Sequence, residues 1–160
     1  MGNSKNDKRG LLQMKIMIIN GPNLNMLGIR EPAHYGKETY SDLLNKIQKH
    51  ADEKGVSIEF RQSNHEGDLV DYIQSTYGKF DGIVINPGAY THTSIAILDA
   101  VKAVGVPTCE VHISDVNARE EFRRISYIRA ACVLTVSGHG TNGYLEAMDH
   151  LIKLKGNQNI

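Results

Sequence analysis

An alternation of two patterns constrains this chain more than any other feature: five short apolar runs are separated by segments whose apolar residues recur at helical spacing. The first run, Met14 to Asn20, is rich in isoleucine and closed by Gly21-Pro22; bounded by turn residues, it predicts a buried strand. Val56 to Arg61 alternates, Gly82 to Ile85 stops at Asn86-Pro87-Gly88, and Pro107 to Ile113 and Ala130 to Val136 complete the set. Between them, Thr39-Tyr40-Ser41-Asp42 has the form of a capping box with Thr39 as N-cap, followed by Leu43, Leu44, Ile47 and Ala51 and stopped by Gly55. Leu69, Val70, Ile73 and Tyr77 predict a second helix ending at Gly78, and Ile95, Leu98, Val101, Lys102 and Val104 a third closed by Gly105. Ala118 to Ser126 reads as a short charged helix and Tyr144 to Leu154 as the last of five.

Strands alternating with helices predict an α/β domain with a parallel sheet, and apolar strands suit a sheet covered on both faces. The expected architecture is a flavodoxin-like three-layer sandwich with strand order 2-1-3-4-5. At 160 residues, 41% hydrophobic and 22% charged, the chain fits one domain, expected over residues 14–154. Residues 1–13 are polar and basic and read as a disordered leader or an added stretch, and residues 155–160 as a polar tail. Asn6 stands where a myristoylation motif needs Ser or Thr. Eighteen basic residues balance eighteen acidic ones, so no field for nucleic acid or membrane is expected. Cys109 and Cys132 lie in apolar stretches and read as small buried hydrophobes, which makes a reducing, cytoplasmic home the default.

In such sheets ligands bind beyond the carboxyl ends of the strands. Those ends carry Asn20, Asn23, Asn25, Arg30 and Tyr35, then Asn86, Thr91, His92 and Ser94. Glu110, His112, Ile113 and Ser114 follow at the fourth, with Arg119 and Arg123 close behind. Amides, imidazoles and guanidinium groups on one edge suit a small, oxygen-rich anion, because arginine grips carboxylate in a fork while amides hold hydroxyls. Each residue also has an ordinary reading: Asn23 and Asn86 as turn residues, His92 as part of a helix's first turn, Arg119 and Arg123 as a solvated helix face. Their joint placement favours a site. Gly138-His139-Gly140-Thr141-Asn142-Gly143 matches G-x-G-x-x-G, but it follows the last strand and completes no βαβ unit, so it reads as a glycine-rich turn. The histidines and cysteines show no metal-ligand spacing.

Asn20-Gly21-Pro22-Asn23-Leu24 with Arg30-Glu31-Pro32 and Tyr35-Gly36, Asn86-Pro87-Gly88-Ala89-Tyr90-Thr91-His92-Thr93-Ser94, and Glu110-Val111-His112-Ile113-Ser114 with Arg119-Glu120-Glu121-Phe122-Arg123 resemble type II 3-dehydroquinate dehydratase, from about Met14 to Lys153. The resemblance implies a cofactor-free, metal-free lyase that converts 3-dehydroquinate to 3-dehydroshikimate through an enolate, in the shikimate pathway of aromatic amino acid biosynthesis or in quinate breakdown. It implies Tyr35 as the base, Arg30 as the group that keeps it acidic, Asn23 as holder of a water on the enolate, His112 as the acid and Glu110 as its partner. Asn86, His92, Ile113, Ser114 and Arg123 match substrate-binding positions, and Asp99 an acid reaching in from a neighbouring subunit. Trimers assembled into a homododecamer are implied as well.

The chemistry is coherent. A free tyrosine has a pKa of about 10, and a fixed guanidinium favours its phenolate. Histidine is the side chain nearest neutrality for protonating a departing oxygen. Glu110 precedes His112 by two residues and so shares its face of the strand. Asp99 stands eight residues beyond Thr91, more than two helical turns from the start of its helix. A flavin-binding relative of the fold would need hydroxyls after the first strand, where Gly21-Pro22-Asn23-Leu24-Asn25 has none. A receiver module would need acids where Asn20 and Asn86 stand, and a lysine-dependent dehydratase a buried strand lysine, whereas Lys15 only opens the first strand.

Overall fold

The computed structural model describes residues 13–29, 33 and 37–158. Five parallel strands, β1 (Lys15–Asn20), β2 (Ser57–Gln62), β3 (Gly82–Asn86), β4 (Thr108–His112) and β5 (Leu134–Ser137), form one sheet in the order β2-β1-β3-β4-β5. Among the described residues four α-helices cover it: α1 (Tyr40–Lys54), α2 (Glu66–Ser75), α3 (Ile95–Val104) and α4 (Asn142–Gln158). Alternation along β1 assigns the layers. Ile16 and Ile18 pack with Leu43, Ile47 and Ala51 of α1 and with Ala147, Met148 and Leu151 of α4. Met17 and Ile19 face Leu69 and Ile73 of α2 and Ile97, Ala100 and Val101 of α3. Each buried aliphatic side chain contributes roughly 1.5–3 kcal/mol. The expected three-layer sandwich and strand order are therefore observed.

Helix α1 follows its sequence signals closely. Thr39 Oγ1 accepts from Asp42 N, Asp42 Oδ2 accepts from Thr39 N, and Gly55 ends the helix in the left-handed region at φ 69°. Other boundaries moved. Helix α2 stops at Ser75, because Ser75 and Thr76 turn their hydroxyls back onto Tyr72 O and Ile73 O, and Tyr77 is exposed. The buried face of α3 is Ile97, Ala100 and Val101, and Ile95 is half exposed. Helix α4 continues across Gly156 to Gln158.

Two expectations fail. Ala118 to Ser126 is not a helix but lies across 3-10 turns at Val116–Ala118 and Glu121–Arg123. Its charges have helical spacing but no apolar stripe to dock, and Phe122 and Ile125 stay exposed. Likewise β5 begins at Leu134 rather than Ala130, because Ile128–Ala131 forms a 3-10 turn whose Arg129 N–H is held by Ser126 Oγ at 3.1 Å. Cys109 is buried and Cys132 half-buried, and burial pushes both thiols up to about 12.

Candidate active site

The carboxyl ends of β1, β3 and β4 surround a cavity of about 120 Å³. Two glycines let the first two ends meet. Gly21 N–H donates to Asn86 O at 2.8 Å, and a Cβ on Gly21 would lie 2.5 Å from Pro87 O. Gly88, at φ 59°, packs against Pro22. Any side chain at Gly21 would force the two loops apart.

Asn23 lines the cavity and is the one non-glycine among the described residues with positive φ, at 69°. Asparagine tolerates this region best, and such strain persists only where surroundings enforce it. Here Asn64 Oδ1 accepts from Asn23 N at 3.0 Å and from Gln62 Nε2 at 3.3 Å, while Tyr90 Oη donates to Asn64 O at 2.8 Å. Gln62 and Asn64 had no sequence signal, because no motif ties the end of β2 to the loop after β1.

The third strand end carries a buried acid–imidazole pair. Glu110 is fully buried and His112 is 6% exposed, with His112 Nε2 donating to Glu110 Oε1 at 2.6 Å. The same oxygen accepts from Ser126 Oγ at 2.7 Å and from Thr91 Oγ1, while Oε2 accepts from Thr135 Oγ1 at 3.3 Å. Burial alone would raise the Glu110 pKa, but the hydrogen bond and charge of His112, with the Thr91 and Ser126 hydroxyls, outweigh it and hold the carboxyl below its usual range. His92 donates from Nδ1 to Ile125 O at 2.6 Å. Its desolvation, with the nearby charges of His112 and Arg123, outweighs that bond and the Glu110 charge and lowers its pKa. The neutral ring then carries its lone pair on Nε2, an acceptor for a ligand hydroxyl.

Arg119 and Arg123 line the cavity beside Ile113 and Ser114. They are not a solvated face: their side chains are 7% and 25% exposed, and Glu120 Oε2 lies 3.7 Å and 2.9 Å from their Nε atoms. Two guanidinium groups on one wall have the chemistry to grip a carboxylate. The structure thus brings together Asn23, Asn86, His92, His112, Ile113, Ser114 and Arg123 around the cavity, with Glu110 behind His112. Arg119 joins them, although sequence reasoning placed it only near the site. Asp99 is exposed on α3 and does not line the cavity. Arg30 and Tyr35 lie outside the described residues.

The glycine-rich turn serves the neighbouring backbone. Gly138 N–H donates to His112 O at 3.2 Å, Gly140 N–H to Ile113 O at 3.0 Å and Gly143 N–H to Gly140 O at 3.3 Å. Those donors are committed inside the chain instead of forming a phosphate cradle. Among the described residues no group of three or more His, Cys, Asp or Glu side chains could hold a metal, and no helix is long and apolar enough to cross a membrane.

Residues 14–152 match the family described as dehydroquinase class II. The 3-dehydroquinate dehydratase of Caldicellulosiruptor bescii is 55% identical over 135 residues, covering 84% of this chain and 93% of that protein. That of Clostridium acetobutylicum is 52% identical over 132 residues, covering 82% and 92%. The crystal structure of type II dehydroquinase from Butyrivibrio crossotus superposes with a TM-score of 0.86 at 52% identity, covering 88% of this chain and 98% of that one. The type II dehydroquinase from Propionibacterium acnes gives a TM-score of 0.82 at 38% identity, covering 90% and 99%. With strand order, strand-end chemistry and relatives in agreement, the chain belongs to the class II dehydroquinase family.

Proposed function

We propose that this chain is a hydro-lyase that dehydrates 3-dehydroquinate to 3-dehydroshikimate by trans elimination through an enolate. The observation that supports it most is the buried Glu110–His112 pair beside a cavity walled by Arg119 and Arg123. A small carboxylate-bearing ligand gripped by guanidinium groups would bring a hydroxyl within reach of the imidazole. Tyr35, its phenolate favoured by Arg30, takes the proton from the carbon next to the ketone. Asn23 holds a water that stabilises the enolate oxygen. His112 then protonates the leaving hydroxyl, which departs as water as the carbon–carbon double bond forms. Since Nε2 of His112 is committed to Glu110, Nδ1 is the nitrogen left to serve the ligand. Asn86, His92, Ile113, Ser114 and Arg123 bind and orient the substrate.

The reaction belongs to the shikimate pathway or to quinate breakdown, in the cytoplasm, with residues 14–154 as the catalytic domain. The active form is a homododecamer, a tetramer of trimers, in which Asp99 of one subunit completes the site of the next. The exposed position of Asp99, away from its own chain's cavity, supports its use in trans. The direct test is to add 3-dehydroquinate to purified protein and follow the ultraviolet absorbance of an enone carboxylate. Product should form with EDTA present, and borohydride added with substrate should not inactivate the protein. Absence of product, or substrate-dependent trapping on a lysine, would overturn the reading.

A further inference from the structure

Tyr144, at the start of α4, is fully buried and packs in the layer between α4 and the sheet, so its hydroxyl is shut off from water. Such a group costs stability unless it is hydrogen-bonded. Both of its capacities are used: it donates to Asn20 Oδ1 at 2.6 Å and accepts from Asn86 Nδ2 at 3.0 Å. The direction of this chain is not arbitrary. A backbone N–H can only donate, so the Gly88 N–H, 3.1 Å from the Asn86 side chain, requires the amide oxygen there. Asn86 Nδ2 must then face Tyr144, and the Tyr144 proton must go to Asn20. One backbone N–H thereby sets the polarity of three side chains in sequence.

We propose that Tyr144 is a positioning residue that locks the Asn86 amide, so that Asn86 offers the cavity its one remaining N–H as a donor to a ligand oxygen. This rests on the reading of Asn86 as a substrate-binding residue. Asn86 lines the cavity and Tyr144 does not, so Tyr144 acts only through Asn86. Without the phenol the amide is held at its oxygen alone and can swing about that bond. The amide–substrate contact then forms only in a fraction of molecules, which weakens binding more than it slows the chemical steps at Tyr35 and His112.

The test is Tyr144→Phe, which keeps the ring and removes the hydroxyl. KM for 3-dehydroquinate should rise about tenfold, the scale of one lost hydrogen bond, with kcat within about threefold of the parent. In an Asn86→Ala background the same change should alter KM by less than about twofold, because the two residues act as one unit. In ligand-free protein carrying isotope-labelled asparagine, the Asn86 side-chain amide resonance should move in Tyr144→Phe. If Tyr144→Phe does not fold, Asn20→Ala removes the acceptor at the far end of the chain and should shift the same signal and KM in the same direction. An Asn86 signal that does not move, an unchanged KM, or an equal KM rise in the Asn86→Ala background would overturn the proposal. A parent protein without turnover would instead overturn the substrate reading, and the resonance would still decide the role of Tyr144.

Discussion

Glu110 Oε1 and His112 Nε2 lie 2.6 Å apart on one strand, with neither side chain more than 6% exposed. Two consequences follow for Glu110→Gln. First, the imidazole loses the charge that orients it, and kcat should fall about a hundredfold, near the low end of what a positioned acid contributes. Second, the pH dependence of stability should flatten. The Glu110 carboxyl is held below its ordinary range, with burial opposed by the His112, Thr91 and Ser126 interactions. On acidification the unfolded chain therefore takes up this proton first. The stability tied to it is complete above about pH 5 and is lost as pH falls through the depressed value. Melting temperatures between neutral pH and pH 3 should drop less steeply for Glu110→Gln than for the parent, and parallel curves would contradict the linkage.

His112→Ala should reduce kcat by about 100- to 10,000-fold, because hydroxide leaves poorly without a proton donor. Tyr35→Phe should do the same by removing the base, and Arg30→Ala should lower turnover through loss of the phenolate's counter-charge. Circular dichroism should be unchanged in all three. Near-normal turnover in either of the first two variants would reassign the acid or the base.

Gly138 has φ +81°, and a Cβ there would lie 3.0 Å from Asp115 Cβ, next to Ser114 on the cavity wall. Gly105 has φ +64° with nothing within 4 Å of its Cβ. Alanine should cost about 1–2 kcal/mol at either position from the left-handed conformation. Only Gly138→Ala should also raise KM, because only there must the substrate-side loop move. Denaturant melts and steady-state kinetics on the two variants separate these effects.

Chains carrying Tyr35→Phe and Asp99→Ala should each be weak alone. Unfolded and refolded together, about a quarter of sites would combine intact Tyr35 with intact Asp99 if the interface repeats around a closed ring. Activity of the mixture well above both parents is the expected result. A monomer by light scattering, or a mixture no better than its parents, would return Asp99 to an ordinary exposed helix residue.

Local signals carried the parts of this fold that local physics controls. Helix α1 was legible from Thr39 to Gly55 because a capping box and a glycine stop act within one turn. Spacing alone suggests a helix from Ala118 to Ser126, because Arg119, Glu120, Arg123 and Arg124 recur at helical intervals, while tertiary contacts set the backbone as 3-10 turns. Arg119 is turned inward and Ser126 is held on Glu110, and neither requirement is visible in spacing. The same division runs through the site. Asn86 and His112 close β3 and β4, Glu110 stands two residues before His112 and Asn23 three beyond β1, so the alternation of elements located them. Asn64, Ser126, Thr135 and Tyr144 support them from distant segments, and in a single sequence they look like loop polars or core aromatics.

The hydrogen bond between Tyr144 and Asn20 joins residues 124 positions apart. A chain emerging from the ribosome can complete β1, β3 and their glycine turns long before α4 exists, yet the Asn86 amide has no phenol to hold it until that last helix docks. Orientation of the Asn86 amide is thus tied to docking of the final layer of the sandwich rather than to the strands that carry the site. Contacts of such long sequence separation form slowly, since loop closure must be accomplished before they contribute. A nascent or C-terminally clipped chain would therefore present the right side chains at the right strand ends without the arrangement that lets them recognise a ligand.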